Sequence, residues 1–234
     1  MARDDPAARD LSDADARALG PGAAHYTAFV GPPDEYDLMG ATQFRLLTAL
    51  GLRDHHRLLD FGCGSLRAGV HFIRYLEPGN YIGVDVNQSL LDAGYDVELA
   101  SAGLQARMPR ANLVRLGEFE FHRLARQFDC ALALSLFTHL PFNHIRLCLT
   151  RLAEAIKPGG VFFATCFQVP EEAPLSEPYA HPAGGITTHS ATDPYHYRLI
   201  DMVYAVRNLP WEIRIASGFA HPRSQQMLAF HRIQ

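Results

Sequence analysis

Cysteine is scarce in this chain. Four occur among 234 residues, Cys63, Cys130, Cys148 and Cys166, and no two form a C-x-x-C pair. Three of them fall in or beside expected core strands and a glycine turn, so they read as buried thiols in a reducing compartment. No apolar stretch approaches the roughly 20 residues that a membrane-spanning helix needs. The first residues are polar and alanine-rich without a signal-peptide run, so a cytoplasmic location is expected. An excess of positive charge is also missing. With 21 basic and 25 acidic side chains the formal net charge is −4, which gives no electrostatic support for a nucleic-acid or membrane partner. The 12 histidines never fall at a compact spacing such as H-x-x-x-H, and no metal site is expected.

What is present is concentrated in one stretch, Leu58-Leu59-Asp60-Phe61-Gly62-Cys63-Gly64. An apolar strand ends in an acidic residue and meets two glycines, and a helix is expected from Ser65. Glycines at a strand-to-helix turn let the backbone approach a ligand closely, and the helix start would offer N–H groups to it. The next strand, Tyr81 to Val84, ends in a second acidic residue, Asp85. That interval suits a βαβ unit whose second carboxylate grips a ribose diol, and points to an adenosine-type cofactor.

A dinucleotide fingerprint wants a third glycine where Arg67 stands. The Asp60 carboxylate beside the glycines would repel a pyrophosphate and favour an ammonium group. At these residues the chain resembles the class I S-adenosylmethionine-dependent methyltransferases. Asp60-Phe61-Gly62-Cys63-Gly64 looks like their first motif and Asp85, with Val86 beside it, like their acidic second motif. Gly117-Glu118-Phe119 falls where the family contacts adenine. Phe128 to Ser135 resembles the fourth strand and Lys157-Pro158-Gly159-Gly160 the turn before the fifth. The likeness covers roughly Leu58 to Cys166. It departs at Leu66, where many relatives carry another glycine. The resemblance implies S-adenosylmethionine as cofactor, held by Asp60, Gly62, Cys63, Gly64, Asp85, Val86, Glu118, Phe119 and Ser135. It also implies a doubly wound α/β fold with a mostly parallel seven-stranded sheet, whose antiparallel last strand inserts between the fifth and sixth.

Along the chain, residues 1–37 form an N-terminal arm that reads as a lid, with Tyr26, Phe29 and Tyr36 around the Gly31-Pro32-Pro33 turn. Residues 38–234 form the enzyme domain. Helices are expected near Gly40–Leu50, Ser65–Leu76, after the cap residue Asn87, at Pro141–Ile156 and around Leu199–Val206. Strands are expected at Ala111–Leu116, Phe128–Ser135, Val161–Cys166, Trp211–Ser217 and Met227–Arg232. Between 169 and 197, Pro170, Pro174, Pro178 and Pro182 with Gly184-Gly185 rule out a regular helix through most of the segment, which reads as a long lid-like loop.

Methyl transfer from a sulfonium needs positioning and, for a hydroxyl acceptor, removal of a proton. The segment after the fourth strand, Ser135 to Pro141, lies near the methyl group in the resembled family. His139 there has two readings, a general base or a residue that bonds backbone and shapes the pocket. Tyr36, Arg67, Thr138 and His196 are candidates for holding the acceptor. Arg67 alternatively pairs with the cofactor carboxylate or with a surface acid. The acceptor is expected to be a small molecule methylated on oxygen or nitrogen; the alternatives are a protein or RNA acceptor, or a cofactor-binding protein without turnover. Oligomeric state is not readable from the sequence.

Overall fold

The computed structural model describes residues 18–19, 22–216 and 221–234. Most of the expected arm before residue 22, and Ser217 of the expected sixth strand, lie outside the described residues. The chain divides into two compact units, Met1–Gly117 and Glu118–Gln234.

In the first unit a short helix α1 (Tyr26–Phe29) and a 3-10 turn (Pro33–Glu35) lead into α2 (Tyr36–Ala49). Then follow β1 (Leu58–Phe61), α3 (Gly69–Tyr75), β2 (Tyr81–Asp85), α4 (Gln88–Ala93) and β3 (Leu113–Arg115). The three strands are parallel in the order β3-β2-β1, with Leu58 opposite Tyr81 and Gly83 opposite Leu113. All four residues of β1 and the first four of β2 are buried, as expected of parallel strands covered on both faces. Asn87 caps α4 by accepting the Ser89 N–H at 3.0 Å, the role its sequence position predicts.

Three boundaries differ from expectation. Helix α2 begins at Tyr36 rather than Gly40, because Pro33 opens a 3-10 turn that runs straight into it. Asn112 belongs to a 3-10 turn, Arg110–Asn112, so β3 is shorter than Ala111–Leu116. Helix α3 begins at Gly69 rather than Ser65, because Leu66 adopts a left-handed backbone (φ 66°) that no α-helix admits. Arg67 therefore stands ahead of the helix, not in its first turn. The Leu66 side chain is fully buried and fills space left by two glycines. A Cβ on Gly69 would lie 2.7 Å from Leu66 Cδ2, and one on Gly94 2.8 Å from Leu66 Cγ. The left-handed conformation costs about 1–2 kcal/mol, and burying a leucine returns about 1.5–3 kcal/mol.

In the second unit, β4 (Phe128–Ala133) and α5 (Phe142–Ala155) precede the long β5 (Ile156–Gln168). Next come β6 (Tyr179–Ala180), β7 (Thr187–Thr188), β8 (His196–Tyr197), α6 (Leu199–Ala205), β9 (Trp211–Ile215) and β10 (Gln225–Arg232). Strand β5 runs parallel to β4, and β10 lies antiparallel between β5 and β9, where the family resemblance placed the last strand. The chain thus has the mixed α/β fold with a mostly parallel sheet and antiparallel last strands. Lys157-Pro158-Gly159-Gly160 is not a turn ahead of the fifth strand but a bulge within it. Pairing jumps from Phe128–Ile156 to Cys130–Val161 across it, Gly159 has φ 82°, and the Lys157 ammonium donates to Asp129 at 2.6 Å. The segment 169–197 also has more order than a loop. Strands β6 and β7 pair as an antiparallel ribbon, and β8 adds an eighth strand beside β5, with His196 opposite Phe167. The prolines at 170, 174 and 178 precede β6 and Pro182 falls between β6 and β7, all outside the strands, where no ladder N–H is needed.

Gly40, in α2, allows the closest approach in the first unit. A Cβ there would lie 2.1 Å from the Arg67 carbonyl oxygen, a backbone atom that cannot swing aside. Gly40→Ala should destabilise the protein by about 1–3 kcal/mol or more. Chemical unfolding of parent and variant with equal midpoints would show that α2 does not depend on this contact.

Candidate active site

The turn after β1 is built from hydrogen bonds that consume its own donors. The N–H groups of Gly62 and Cys63 both point to the Val84 carbonyl, at 2.8 and 3.1 Å. The Gly64 N–H donates to Asp85 Oδ2 at 3.0 Å, and Asn87 N–H donates to Asp85 Oδ1 at 2.9 Å. Leu66 N–H closes on the Cys63 carbonyl at 3.1 Å. The sequence suggested a row of free donors facing the ligand. Four of the turn's donors, on Gly62, Cys63, Gly64 and Leu66, are already engaged here, and the two carboxylates beside them favour a cation. The Cys63 side chain is buried, and a Cβ on Gly83 would lie 2.8 Å from its sulfur. Burial and the neighbouring Asp60 and Asp85 push its thiol well above the usual range, so it fills space rather than reacting.

Asp60, at 6% exposure, accepts the Tyr81 hydroxyl at 2.7 Å. Burial, with a smaller contribution from the Asp85 charge, raises its carboxyl to about 6, against the opposing hydrogen bond from Tyr81. Tyr81 was not singled out from sequence; its position as the first residue of β2 gives no sign that its hydroxyl reaches the end of β1.

The described part of the N-terminal arm packs onto this turn. Tyr36 donates to the Ser65 carbonyl at 3.0 Å and meets the Ser65 hydroxyl at 2.8 Å. Arg67 donates to the Val30 carbonyl at 2.8 Å. Gly64 has φ 54°, and a Cβ on it would meet the Val30 side chain at 2.8 Å. Buried Tyr26 donates to buried Glu98 at 2.7 Å and packs edge-on against Tyr36. Tyr36 and Arg67, expected to hold an acceptor, thus make contacts that fasten the arm to the glycine turn. Val86 is 64% exposed, next to Asp85.

In the second unit, Glu118 and Phe119 both have left-handed backbones (φ 47° and 59°), unusual for two consecutive non-glycine residues. The Glu118 carbonyl accepts from Arg151, and the buried Phe119 ring packs against Phe121 and His144. Ser135, immediately past β4, is also left-handed (φ 56°) and is held on two sides. Its N–H donates to the Thr165 hydroxyl at 2.7 Å and its own hydroxyl donates to Gln225 Oε1 at 3.0 Å. Thr165 in turn donates to the same oxygen at 2.6 Å. Thr138, 1% exposed, donates to the Ser135 carbonyl at 2.7 Å, and its carbonyl accepts the Tyr195 N–H at 2.7 Å.

His139 is exposed, and its Nδ1 meets both carboxylate oxygens of Asp193 at 2.8 and 3.0 Å. A surface pair of this kind contributes little to stability. It does fix a tautomer: with Nδ1–H given to Asp193, Nε2 carries a lone pair. Asp193 was missed from sequence. It lies 54 positions away in the proline-rich segment, and nothing local marks it. His196 is not exposed in a pocket; it is 2% exposed, with Nδ1 2.9 Å from the Thr188 hydroxyl. A cavity of about 310 Å³ lined by Phe121, His122, Arg126 and Glu154 lies against the amino end of β4, away from Ser135 and His139. It is at the wrong end of the strand, since ligands of open α/β sheets bind beyond the carboxyl ends. Among the described residues no cluster of metal-ligating side chains occurs, and no helix is long and apolar enough to cross a membrane.

Residues 59–162 match the family model of a methyltransferase domain. Among solved structures, the chain is similar to an O-methyltransferase family protein from Burkholderia thailandensis, with 13% identity and a TM-score of 0.63. That match covers 89% of this chain and 60% of the other, so the chain spans less than two thirds of that protein's length. It is similar to magnesium protoporphyrin IX methyltransferase from Synechocystis PCC 6803, solved with S-adenosylmethionine, at 13% identity and TM-score 0.59, over 94% and 90% of the two chains. A glycopeptide N-methyltransferase complexed with S-adenosyl-L-homocysteine matches at 17% identity and TM-score 0.58, over 82% and 90%. At these identities the likeness is one of fold. Residues 59–162 thus match a methyltransferase domain, and the fold is the one shared by these S-adenosylmethionine-dependent methyltransferases.

The raised Asp60 carboxyl sets a stability trend whose sign follows from linkage. The folded state binds this proton more tightly than the unfolded state, so raising the pH from the ordinary carboxyl value of 3.8 through about 6 removes stability. Above that range the full cost is about 3 kcal/mol. Asp60→Asn keeps an acceptor for Tyr81 and abolishes the titration. The unliganded variant should match the parent near about pH 4 and exceed it by up to about 3 kcal/mol near about pH 8. Urea unfolding at both values checks this; a difference that does not change with pH would assign the shift elsewhere.

Proposed function

We propose that the protein transfers a methyl group from S-adenosylmethionine to an oxygen or nitrogen of a small-molecule acceptor. The observation that carries this reading is the glycine turn in the first unit. Two carboxylates, Asp60 and Asp85, stand at a turn in which the Gly62, Cys63, Gly64 and Leu66 N–H groups are bonded within the protein, a setting that suits a cationic ligand with a ribose and no phosphate. When bound, the cofactor supplies an electrophilic methyl on a sulfonium centre. Asp85, anchored by two backbone N–H groups, retains lone pairs for ribose hydroxyls. Buried Asp60 gains a counter-charge from the amino-acid end of the ligand, which offsets its cost of burial. Glu118, Phe119 and Ser135 are assigned to the cofactor by family resemblance, and their left-handed backbones support a functional rather than a packing role.

For a hydroxyl acceptor, His139 takes the proton at Nε2 while Asp193 holds the ring through Nδ1 and stabilises the imidazolium that forms. Thr138, one residue before it, is clamped from both sides and keeps the histidine's backbone in place. The net charge of −4 favours a small acceptor over RNA.

Asp85→Ala should weaken S-adenosylhomocysteine binding by about one to two decades, the loss of roughly 1.5–3 kcal/mol of charged hydrogen bonding. Unchanged affinity by calorimetry in a folded variant would remove Asp85 from the site. His139→Ala should lower turnover of a hydroxyl acceptor by about 10²–10⁴ and barely alter cofactor affinity. Parental turnover in that variant would return His139 to a structural role.

A further inference from the structure

The segment between β7 and α6 presents Asp193 at the tip of a small loop. Two backbone hydrogen bonds close that loop: His189 N–H to the Pro194 carbonyl and His196 N–H to the His189 carbonyl, both 2.9 Å. Beneath them, at its neck, the Thr188 hydroxyl lies 2.9 Å from His196 Nδ1. The same hydroxyl lies 2.9 Å from Nε2 of His181, the residue that follows β6. Thr188 is fully buried, and the two histidines are 7% and 2% exposed. His181 is enclosed by the rings of Phe167 and Tyr179, with centroids at 4.8 and 5.0 Å.

This polar chain is retained at a cost. His196 Nε2 is buried with no hydrogen-bond partner, a state that typically costs about 1–3 kcal/mol. A leucine in this apolar setting would avoid the cost, so the imidazole is kept for its other nitrogen. Burial lowers the proton affinity of both histidines, helped by the neighbouring His196 at His181 and by His189 and Arg198 at His196, where the hydrogen bond to Thr188 opposes it. Each is therefore neutral near pH 7 and can share the single hydroxyl between them. One hydroxyl then joins β6, β7 and β8, and β8 is paired to the end of β5.

We propose that Thr188 and His196 are positioning residues: they staple the neck of the 189–195 loop and so hold Asp193 against His139 Nδ1. This rests on His139 as the proton acceptor, but its effect is readable without any methyl acceptor. The staple fixes where the Asp193 carboxylate stands, Asp193 fixes which nitrogen of His139 carries the proton, and that leaves Nε2 bare for catalysis.

The test is nitrogen-15 NMR of the His139 ring in the full chain, recorded in the pH range where the parent's own spectrum shows a neutral ring. The parent should show the proton on Nδ1. Asp193→Asn gives the reference for a ring released from its carboxylate. Thr188→Val, which keeps shape and removes the hydroxyl, should shift His139 toward that reference, and Thr188→Ser should restore the parental signature. Where Thr188→Val fails to fold, a second pair decides. His196→Asn can place a nitrogen or oxygen near the position of Nδ1 and should retain the signature, whereas His196→Leu should lose it. A parent with its proton on Nε2, or a folded Thr188→Val variant with the parental signature, would overturn the proposal. Equal loss in Thr188→Ser and Thr188→Val would do so too, since the hydroxyl would then not be responsible. Failure of the base reading itself is seen separately, as unchanged turnover in His139→Ala.

Discussion

One carboxylate organises the first unit. Asp85 takes the Gly64 N–H on one oxygen and the Asn87 N–H on the other, tying the end of β2 to the turn after β1 and to the start of α4. Without it the glycine turn would keep two buried donors on Val84 and lose the third restraint that shapes it. Everything that packs on the turn inherits that geometry: Val30 against Gly64, Tyr36 on Ser65, Gly40 over the Arg67 carbonyl. The N-terminal arm, which looked from its prolines and tyrosines like a cover that comes and goes, is in its described part fastened to this platform through buried Tyr26 and Tyr36.

The alternation of strands and helices was legible because β1, β2 and β4 are apolar runs and α5 repeats its apolar residues at helical spacing. Asn87, Asp85 and the glycines of the first motif could be placed for the same reason: each acts within a few residues of where it sits. What escaped notice acts at a distance. Strands β6, β7 and β8 have two residues each, too few for any period, and exist because β5 and the ribbon partner supply hydrogen bonds. Asp193 pairs with a histidine 54 positions earlier. The inward use of the turn's N–H groups was also hidden, because a sequence shows that donors exist but not what they face.

Among the described residues, four of the seven non-glycine residues with left-handed backbone lie just past the carboxyl end of a parallel strand. Leu66 follows β1, Glu118 and Phe119 follow β3, and Ser135 follows β4. In each case the neighbouring structure holds the strain in place: glycines 69 and 94 around Leu66, Arg151 on the Glu118 carbonyl, Thr165 and Gln225 on Ser135. Strain of this kind, held in place by surrounding structure, is characteristic of functional positions.

The antiparallel insertion of β10 has a consequence for how the chain is made. Strand β5 carries β10 along most of its length, from Val161 to Phe167, yet residues 169–224 must be synthesised before that partner exists. At about 5–20 residues per second the ribosome takes several seconds over that interval. Throughout it, β5 has an unpaired flank bearing Phe162 and Phe163, the kind of bare apolar strand edge that recruits other chains. The β6–β7 ribbon and β8 emerge within the same interval, and β8 docks beside the end of β5. Phe167 pairs with His196 of β8 on one edge and with Gln225 of β10 on the other, so β8 leaves that flank bare and only the last strand of the chain closes it.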